Sequence, residues 1–391
     1  MPHCSRINSI CLLFFHNSFI VPGYIQEATM KEYAVGLHKH ELETPALCLD
    51  YEKLEGNIQK MARYLGDTPV ALRPHAKTHK SPMIAWMQLR SGAIGITCAK
   101  VGEAEVLASA GIRDILIANQ VIGKKKIERL MGLAAYTDVM TALDTRDHAT
   151  ELSNAAGKAH VTLRVIIEVD VGMSRCGTAA KEDTLELAQA IQELPGLKFE
   201  GIMGYEGHAV MITDSQQRQK TAEAAMEKLT AVKRYLEEAG IPVPIVSAGG
   251  TGTYNFTGNY PEITGLQAGS YATMDLRYQE VGIDFQHALT LTARIISCRD
   301  DYAITDAGLK SLTSEFGMPK VISPEGWETE KLSEEHGKIR NRDGKPLQVG
   351  DTVEFIPSHG CTTINLHDTY YVTRNDIVIA CWPVAARGAV R

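Results

Sequence analysis

From about residue 44 to residue 275 the chain alternates short β-like runs with amphipathic helical stretches. The runs are 46–49, 70–73, 93–98, 114–118, 137–143, 161–169, 199–205, 243–247 and 262–267. Helical patterns separate them, the longest over 216–239. There Ala222, Met226, Leu229, Val232 and Leu236 recur at spacings of three and four, which makes one apolar stripe. Strands separated by helices imply parallel pairing. About eight such units close a (β/α)8 barrel of the TIM type, and an open doubly wound sheet is the alternative. After about residue 285 the pattern changes. The runs 289–297, 302–306, 351–356, 369–373 and 377–381 are short and β-branched, with turn signals between them. They predict an antiparallel β domain. The charged stretch 331–343 reads as an exposed loop. The expected domains are 30–280 for the barrel and 281–391 for the β domain, against which 30–43 also packs.

The formal charge of −7 argues against a protein-wide basic field for nucleic acid. Eight cysteines are scattered with no CxxC pair, which fits reduced thiols in a cytoplasmic protein. Residues 1–29 look foreign to the rest. Their apolar run 10–15 is too short to span a bilayer, and no other membrane segment is predicted. We expect 1–29 to be a disordered extension, with Met30 a plausible start.

Several motifs carry chemistry. Arg73-Pro74-His75-Ala76-Lys77-Thr78-His79-Lys80 follows a predicted strand. A lysine at the mouth of a barrel can be desolvated and form an imine with a carbonyl, as pyridoxal phosphate enzymes require. A basic, solvated loop explains the same residues. Ser247-Ala248-Gly249-Gly250-Thr251-Gly252-Thr253 and Gln267-Ala268-Gly269-Ser270-Tyr271 each follow a predicted strand. Backbone N–H groups in such turns converge on a phosphate, although plain glycine turns look alike. Neither has the spacing of a nucleotide P-loop. Arg175, in the segment 168–177, offers a fixed cation for a phenolate or carboxylate, or a partner for Glu168 or Asp170. Tyr205-Glu206-Gly207-His208 ends another predicted strand, and Glu206 and His208 are candidate acid–base groups. His359-Gly360-Cys361, taken as extended, sends imidazole and thiolate to one face, a weak signal for Zn²⁺.

The ordered set RPHAKTHK, EVDVGMSRCG, SAGGTGT, LQAGSYATMD and PSHGCTTINLHD resembles fold type III pyridoxal phosphate enzymes of the D-threonine aldolase and D-serine dehydratase group. The resemblance runs from about Thr44 to the C-terminus. It implies an alanine-racemase-like barrel with a C-terminal β domain, acting as a homodimer. By the same resemblance Lys77 is the imine lysine, with His75 beside it in the cofactor site, and Arg175 lies near the cofactor's phenolic oxygen. Thr251, Gly252 and Thr253, with Gly269, Ser270 and Tyr271, match the phosphate cradle, and Tyr205 lies beside the pyridine ring. His359 and Cys361 match the divalent-metal pair. The aldolases carry His and Asp there and the zinc dehydratases His and Cys, so Cys361 favours zinc, with manganese or magnesium as alternatives. Many aldolases have Tyr-His-Gly where this chain has Tyr205-Glu206-Gly207, which leaves Glu206 and His208 both open as the base.

The activity this implies is retro-aldol cleavage of a D-3-hydroxy amino acid to glycine and an aldehyde. A zinc-dependent dehydratase of D-serine or 3-hydroxy-D-aspartate is the alternative. A racemase needs a second base that the sequence does not reveal. A non-catalytic vitamin B6 carrier usually lacks the C-terminal domain and the His-x-Cys pair. Metal-ligand signals within the barrel are too sparse for a metal-only hydrolase.

Overall fold

The structure, a computed structural model, describes residues 32–391. The expected 1–29 extension lies outside the described residues. Strands β1 to β9 are Ala46–Asp50, Ala71–Leu72, Ile96–Cys98, Asp114–Gln120, Asp138–Leu143, Leu163–Glu168, Leu197–Gly204, Ile245–Ala248 and Gly265–Leu266. Eight of them form a parallel sheet in the order β2-β9-β8-β7-β6-β5-β4-β3. Just past β2 the chain reaches β3 through a parallel bridge between His75 and Thr97. There the Ala76 N–H donates to the Thr97 carbonyl at 2.7 Å, and the Thr97 N–H to the Pro74 carbonyl at 2.9 Å. The two edges of the sheet therefore meet, which closes a barrel and excludes the open doubly wound alternative.

Strand alternation separates two apolar sets. Leu116, Met140, Ala142, Ile166 and Met203 form a small cluster inside the barrel. Ile115, Ile117, Val139, Leu143, Val165 and Ile167 belong to the larger core under the helices. The helix Ser215–Glu238 starts at Asp214, whose carboxylate accepts the Gln217 N–H at 2.7 Å. It buries all five residues of the expected stripe.

The second sheet adds β10 to β17: Leu289–Cys298, Tyr302–Thr305, Lys320–Ser323, Trp327–Leu332, Gly337–Asn341, Thr352–Ile356, Thr369–Arg374 and Ile377–Pro383. Its order is β13-β14-β11-β10-β1-β16-β17, with β15 between β10 and β12. Two expectations are corrected here. The run 46–49 belongs to this sheet and not to the barrel, since β1 pairs antiparallel to β10 and parallel to β16. Both faces of β1 are covered, Leu47 and Leu49 by the main core and Ala46 and Cys48 by a second cluster. Such a run reads alike in a barrel or in a covered sheet. The stretch 331–343 is not a loop. Most of it forms the β13–β14 hairpin, which buries Leu332 and Ile339 on one face. On the other face Glu330 binds Lys338 at 3.0 Å and Arg340 at 2.5 Å. The charges on that face hid the period-two pattern.

Segment 36–39 lies against β17, with the Gly36 N–H on the Val378 carbonyl and the Lys39 N–H on the Asp376 carbonyl, both at 2.8 Å. Among the described residues no helix is long and apolar enough to cross a membrane. Tyr370 of β16 links the two sheets: its buried hydroxyl donates to the His79 carbonyl at 2.7 Å. Tyr370→Phe leaves that carbonyl unpaired and is expected to cost about 1–3 kcal/mol. A fall in the midpoint of chemical unfolding would show this, and an unchanged midpoint would refute the link.

Candidate active site

The C-terminal ends of the barrel strands surround a cavity of about 230 Å³. This is the face on which parallel barrels place their chemistry. Lys77 lines it from the turn after β2 and is half-buried. Its Nζ lies 5.7 Å from the centre of the Tyr205 ring, and the Arg175 guanidinium lies 5.8 Å from the same centre. Two cations thus face one aromatic ring that ends β7. Burial pushes the Tyr205 phenol upward, with the adjacent Glu206 adding to it and Arg175 opposing. His75 also lines the cavity, and its Nδ1 accepts the Lys77 N–H at 3.3 Å. Burial holds His75 well below the usual imidazole range, and the positive charge of Lys77 adds to this.

Arg175 also pairs with Glu168, at 3.7 Å. Glu168 is buried, and Gln120 donates to it at 2.6 Å. Burial raises its pKa, against the hydrogen bond from Gln120 and the charge of Arg175. Arg175 thus lines the cavity and is also the partner of Glu168.

The two glycine turns meet at the cavity wall through Gly250, Thr251, Gly269 and Ser270. Among the described residues no acceptor meets the N–H groups of Thr251, Gly252, Gly269 or Ser270. A Cβ on Gly269 would run into the His75 carbonyl, and one on Gly252 into the Val210 carbonyl. The backbone comes this close only without side chains. Gly252, Thr253 and Tyr271 are not part of the wall. The Tyr271 side chain is fully buried and its hydroxyl meets Gln88 Nε2 at 3.1 Å. Its N–H is taken by Thr251 Oγ1 at 3.0 Å.

The structure brings neither Glu206 nor His208 into the cavity wall. Glu206 points behind the first glycine turn, where Gly249, Thr253 and Thr257 donate to it. His208 is exposed and lies over the turn at Gly172.

His359 and Cys361 come next to the cavity from the turn after β15. The segment is not extended throughout: His359 is extended at φ −141°, but Cys361 lies in the short helix Gly360–Ile364. The pair still interacts. His359 Nδ1 meets Asp275 Oδ2 at 2.9 Å, and Asp275 is fully buried. This leaves Nε2 directed away from the carboxylate, the arrangement of carboxylate-supported metal histidines. Cys361 Sγ lies 3.2 Å from Thr78 Oγ1 and 3.8 Å from Ser270 Oγ, both residues of the cavity wall. Burial pushes the thiol up, but His359 and Lys77 outweigh it and the net shift is downward. Burial opposes the charging of His359, yet Cys361 and Asp275 carry it up to about 10. Among the described residues no three His, Cys, Asp or Glu side chains group to hold a metal. His359 and Cys361 offer one nitrogen and one sulfur donor, two of the three protein ligands that an open Zn²⁺ site ordinarily has.

Sequence reasoning missed Asp275, Gln120 and Tyr278. Tyr278 lines the cavity and contacts Ser270, and burial pushes it well above the usual phenol range. Asp275 ends LQAGSYATMD, and nothing in its spacing marks it as the support of a residue 84 positions on.

The alanine racemase N-terminal domain matches residues 49–276, and a putative serine dehydratase domain matches residues 288–373. The chain belongs to the alanine racemase N-terminal domain family. Within this family it is 37% identical over 356 residues to a D-threonine aldolase of an Arthrobacter species, covering 90% of this chain and 94% of the relative. It is 36% identical over 365 residues to a 3-hydroxy-D-aspartate aldolase of Paracoccus denitrificans, with 90% and 94% covered. The crystal structure of D-threonine aldolase from Filomicrobium marinum superposes with a TM-score of 0.88 at 34% identity, covering 91% of this chain and 99% of that one. A D-threo-3-hydroxyaspartate dehydratase from Delftia is more distant, at 25% identity and a TM-score of 0.82 over 88% and 98%. Aldolases and dehydratases are lyases, and this member of the family is a lyase.

Two buried histidines in the site loop set an acid limit. Burial holds His79 at about 4 against 6.5 when free, and His75 also lies well below 6.5. The unfolded chain therefore binds more protons than the folded one below pH 6.5. This contribution to stability is complete above pH 6.5 and declines as the pH falls toward 4, by up to about 1.4 kcal/mol per pH unit for each group. Unfolding midpoints across this window are expected to fall less steeply in His79→Gln than in the wild type. Parallel declines would contradict the assignment.

Proposed function

We propose that the protein is a pyridoxal 5'-phosphate- and divalent-metal-dependent lyase on D-3-hydroxy amino acids, of the D-threonine aldolase type, releasing glycine and an aldehyde. One observation carries this reading: Lys77 and Arg175 face the same Tyr205 ring beside two turns with unpartnered N–H groups. The 36–37% identity to aldolases, against more distant dehydratases, supports the same choice. In this reading residues 30–280 hold the cofactor and 281–391 supply the metal pair. The resemblance supports a homodimer, and the six free thiols among the described residues support a reducing, cytoplasmic setting.

When bound, pyridoxal phosphate supplies an aldehyde that captures an amine and a ring that takes up the electron pair released at Cα. A divalent ion, zinc first and manganese or magnesium as alternatives, supplies a Lewis acid for the 3-hydroxyl, with His359 and Cys361 as its ligands. Lys77 Nζ offers the amine. Tyr205 closes one side of the space next to it, and Arg175 fixes a positive charge at its edge. The free N–H groups of Thr251, Gly269 and Ser270 on the cavity wall would hold the phosphate, with that of Gly252 next in the turn. Asp275 holds the His359 ring, and Thr78 and Ser270 hold the Cys361 sulfur. For the proton of the 3-hydroxyl, Lys77 is the acceptor on the cavity wall, and His208, outside that wall, is the alternative. His208→Asn with its cofactor band intact decides between them: lost turnover assigns the proton to His208, retained turnover to Lys77.

Incubation with D-threonine is expected to yield glycine and acetaldehyde. Yield of 2-oxobutanoate and ammonia would overturn the aldolase reading for the dehydratase one, which the thiol of Cys361 favours. Lys77→Ala is expected to abolish the visible absorbance of the bound cofactor, and a retained band would count against that lysine. Asp275→Asn is expected to weaken zinc affinity about 10–100-fold. Unchanged zinc retention after dialysis against a chelator would remove His359 and Cys361 from the metal role.

A further inference from the structure

Glu206 is fully buried and is not part of the cavity wall. Its carboxylate meets three donors, none of them a cation. Gly249 N–H reaches Oε2 at 3.1 Å, and the hydroxyls of Thr253 and Thr257 reach Oε1 at 2.7 and 2.5 Å. A buried carboxylate is expensive unless such donors satisfy it. All three donors come from the first glycine turn and the short helix Tyr254–Thr257 after it.

The hydrogen bonds run in one direction. Because Thr253 donates its hydroxyl hydrogen to Glu206, its oxygen is free to accept the Gly250 N–H, at 3.3 Å. Two consecutive N–H groups, those of Gly249 and Gly250, are thereby drawn back toward the carboxylate. The next two, of Thr251 and Gly252, are left without acceptors among the described residues. Thr251 Oγ1 in turn accepts the Tyr271 N–H and ties the second glycine turn to the first. One carboxylate behind the wall thus holds the first turn, and Thr251 ties the second turn to it.

We propose that Glu206 is a positioning residue that pre-forms the cradle for a phosphate group, and not a proton-transfer group. This rests on the cofactor reading above. Glu206→Gln replaces one acceptor oxygen with an NH2 group: turned toward Gly249 it sets a donor against that N–H, and turned toward the threonines it forces their hydroxyls to accept where they now donate. Thr257→Val removes a single donor at nearly constant volume.

The test titrates the apoprotein with pyridoxal 5'-phosphate and, separately, with pyridoxal, which has the same ring and aldehyde but no phosphate. Visible absorbance reports binding of each. Glu206→Gln is expected to bind the phosphorylated ligand about tenfold or more weakly, the scale of one lost hydrogen bond to a charged group. Its affinity for pyridoxal is expected to stay within about twofold of wild type on the same scale. Thr257→Val is expected to show a smaller loss, confined again to the phosphorylated ligand, and it carries the test if Glu206→Gln does not fold. Unaltered affinity for pyridoxal 5'-phosphate, or equal weakening of both ligands, would overturn the proposal. A wild-type protein that binds neither ligand would instead overturn the cofactor reading.

Discussion

The turn 76–79 has to satisfy the barrel and the second sheet at once. On one side the Ala76 N–H binds the Thr97 carbonyl and closes the cylinder. On the other, Tyr370 of β16 reaches in and donates to the His79 carbonyl. Lys77 lies between these two anchors, and Lys80 just beyond is locked in a buried ion pair with Glu103. Holding the backbone on both sides fixes the base from which the Lys77 side chain, with its four rotatable bonds, extends toward the Tyr205 ring. Sites supported this way hold their geometry better than sites on free loops.

The second sheet does more than brace the barrel. Its strand β15 delivers His359 and Cys361 to the side of the cavity where Thr78 and Ser270 stand. Thr78 follows Lys77 directly, and Ser270 belongs to the second glycine turn. In the proposed function the groups for the imine, the phosphate and the metal would therefore share one wall. A shift of the 76–79 turn would disturb all three together.

Much of this was legible in the sequence. The long helix showed its apolar stripe because one face is buried and the other wet. The barrel strands showed because each is short, apolar and followed by a helix. Lys77, Arg175 and Tyr205 were legible as a set, since strand-end polar residues in a parallel barrel point to a common mouth. Other features had no local signature. Strand β1 is covered on both faces, so no alternation says which sheet it joins. The β13–β14 hairpin puts cross-strand ion pairs outside, and these look like loop composition. Asp275 and Gln120 act through contacts between distant chain segments. Glu206 is one of two candidate bases in the sequence because carboxylates at strand ends often act so; the three donors around it support the proposed positioning role instead.

The account is tested most directly by finding where the cofactor attaches. Holoprotein is reduced with borohydride, digested, and the peptide carrying the pyridoxyl group is sequenced by mass spectrometry. The account predicts a single labelled residue, Lys77. A label on any other lysine, or no label on a protein that retains cofactor, would contradict it.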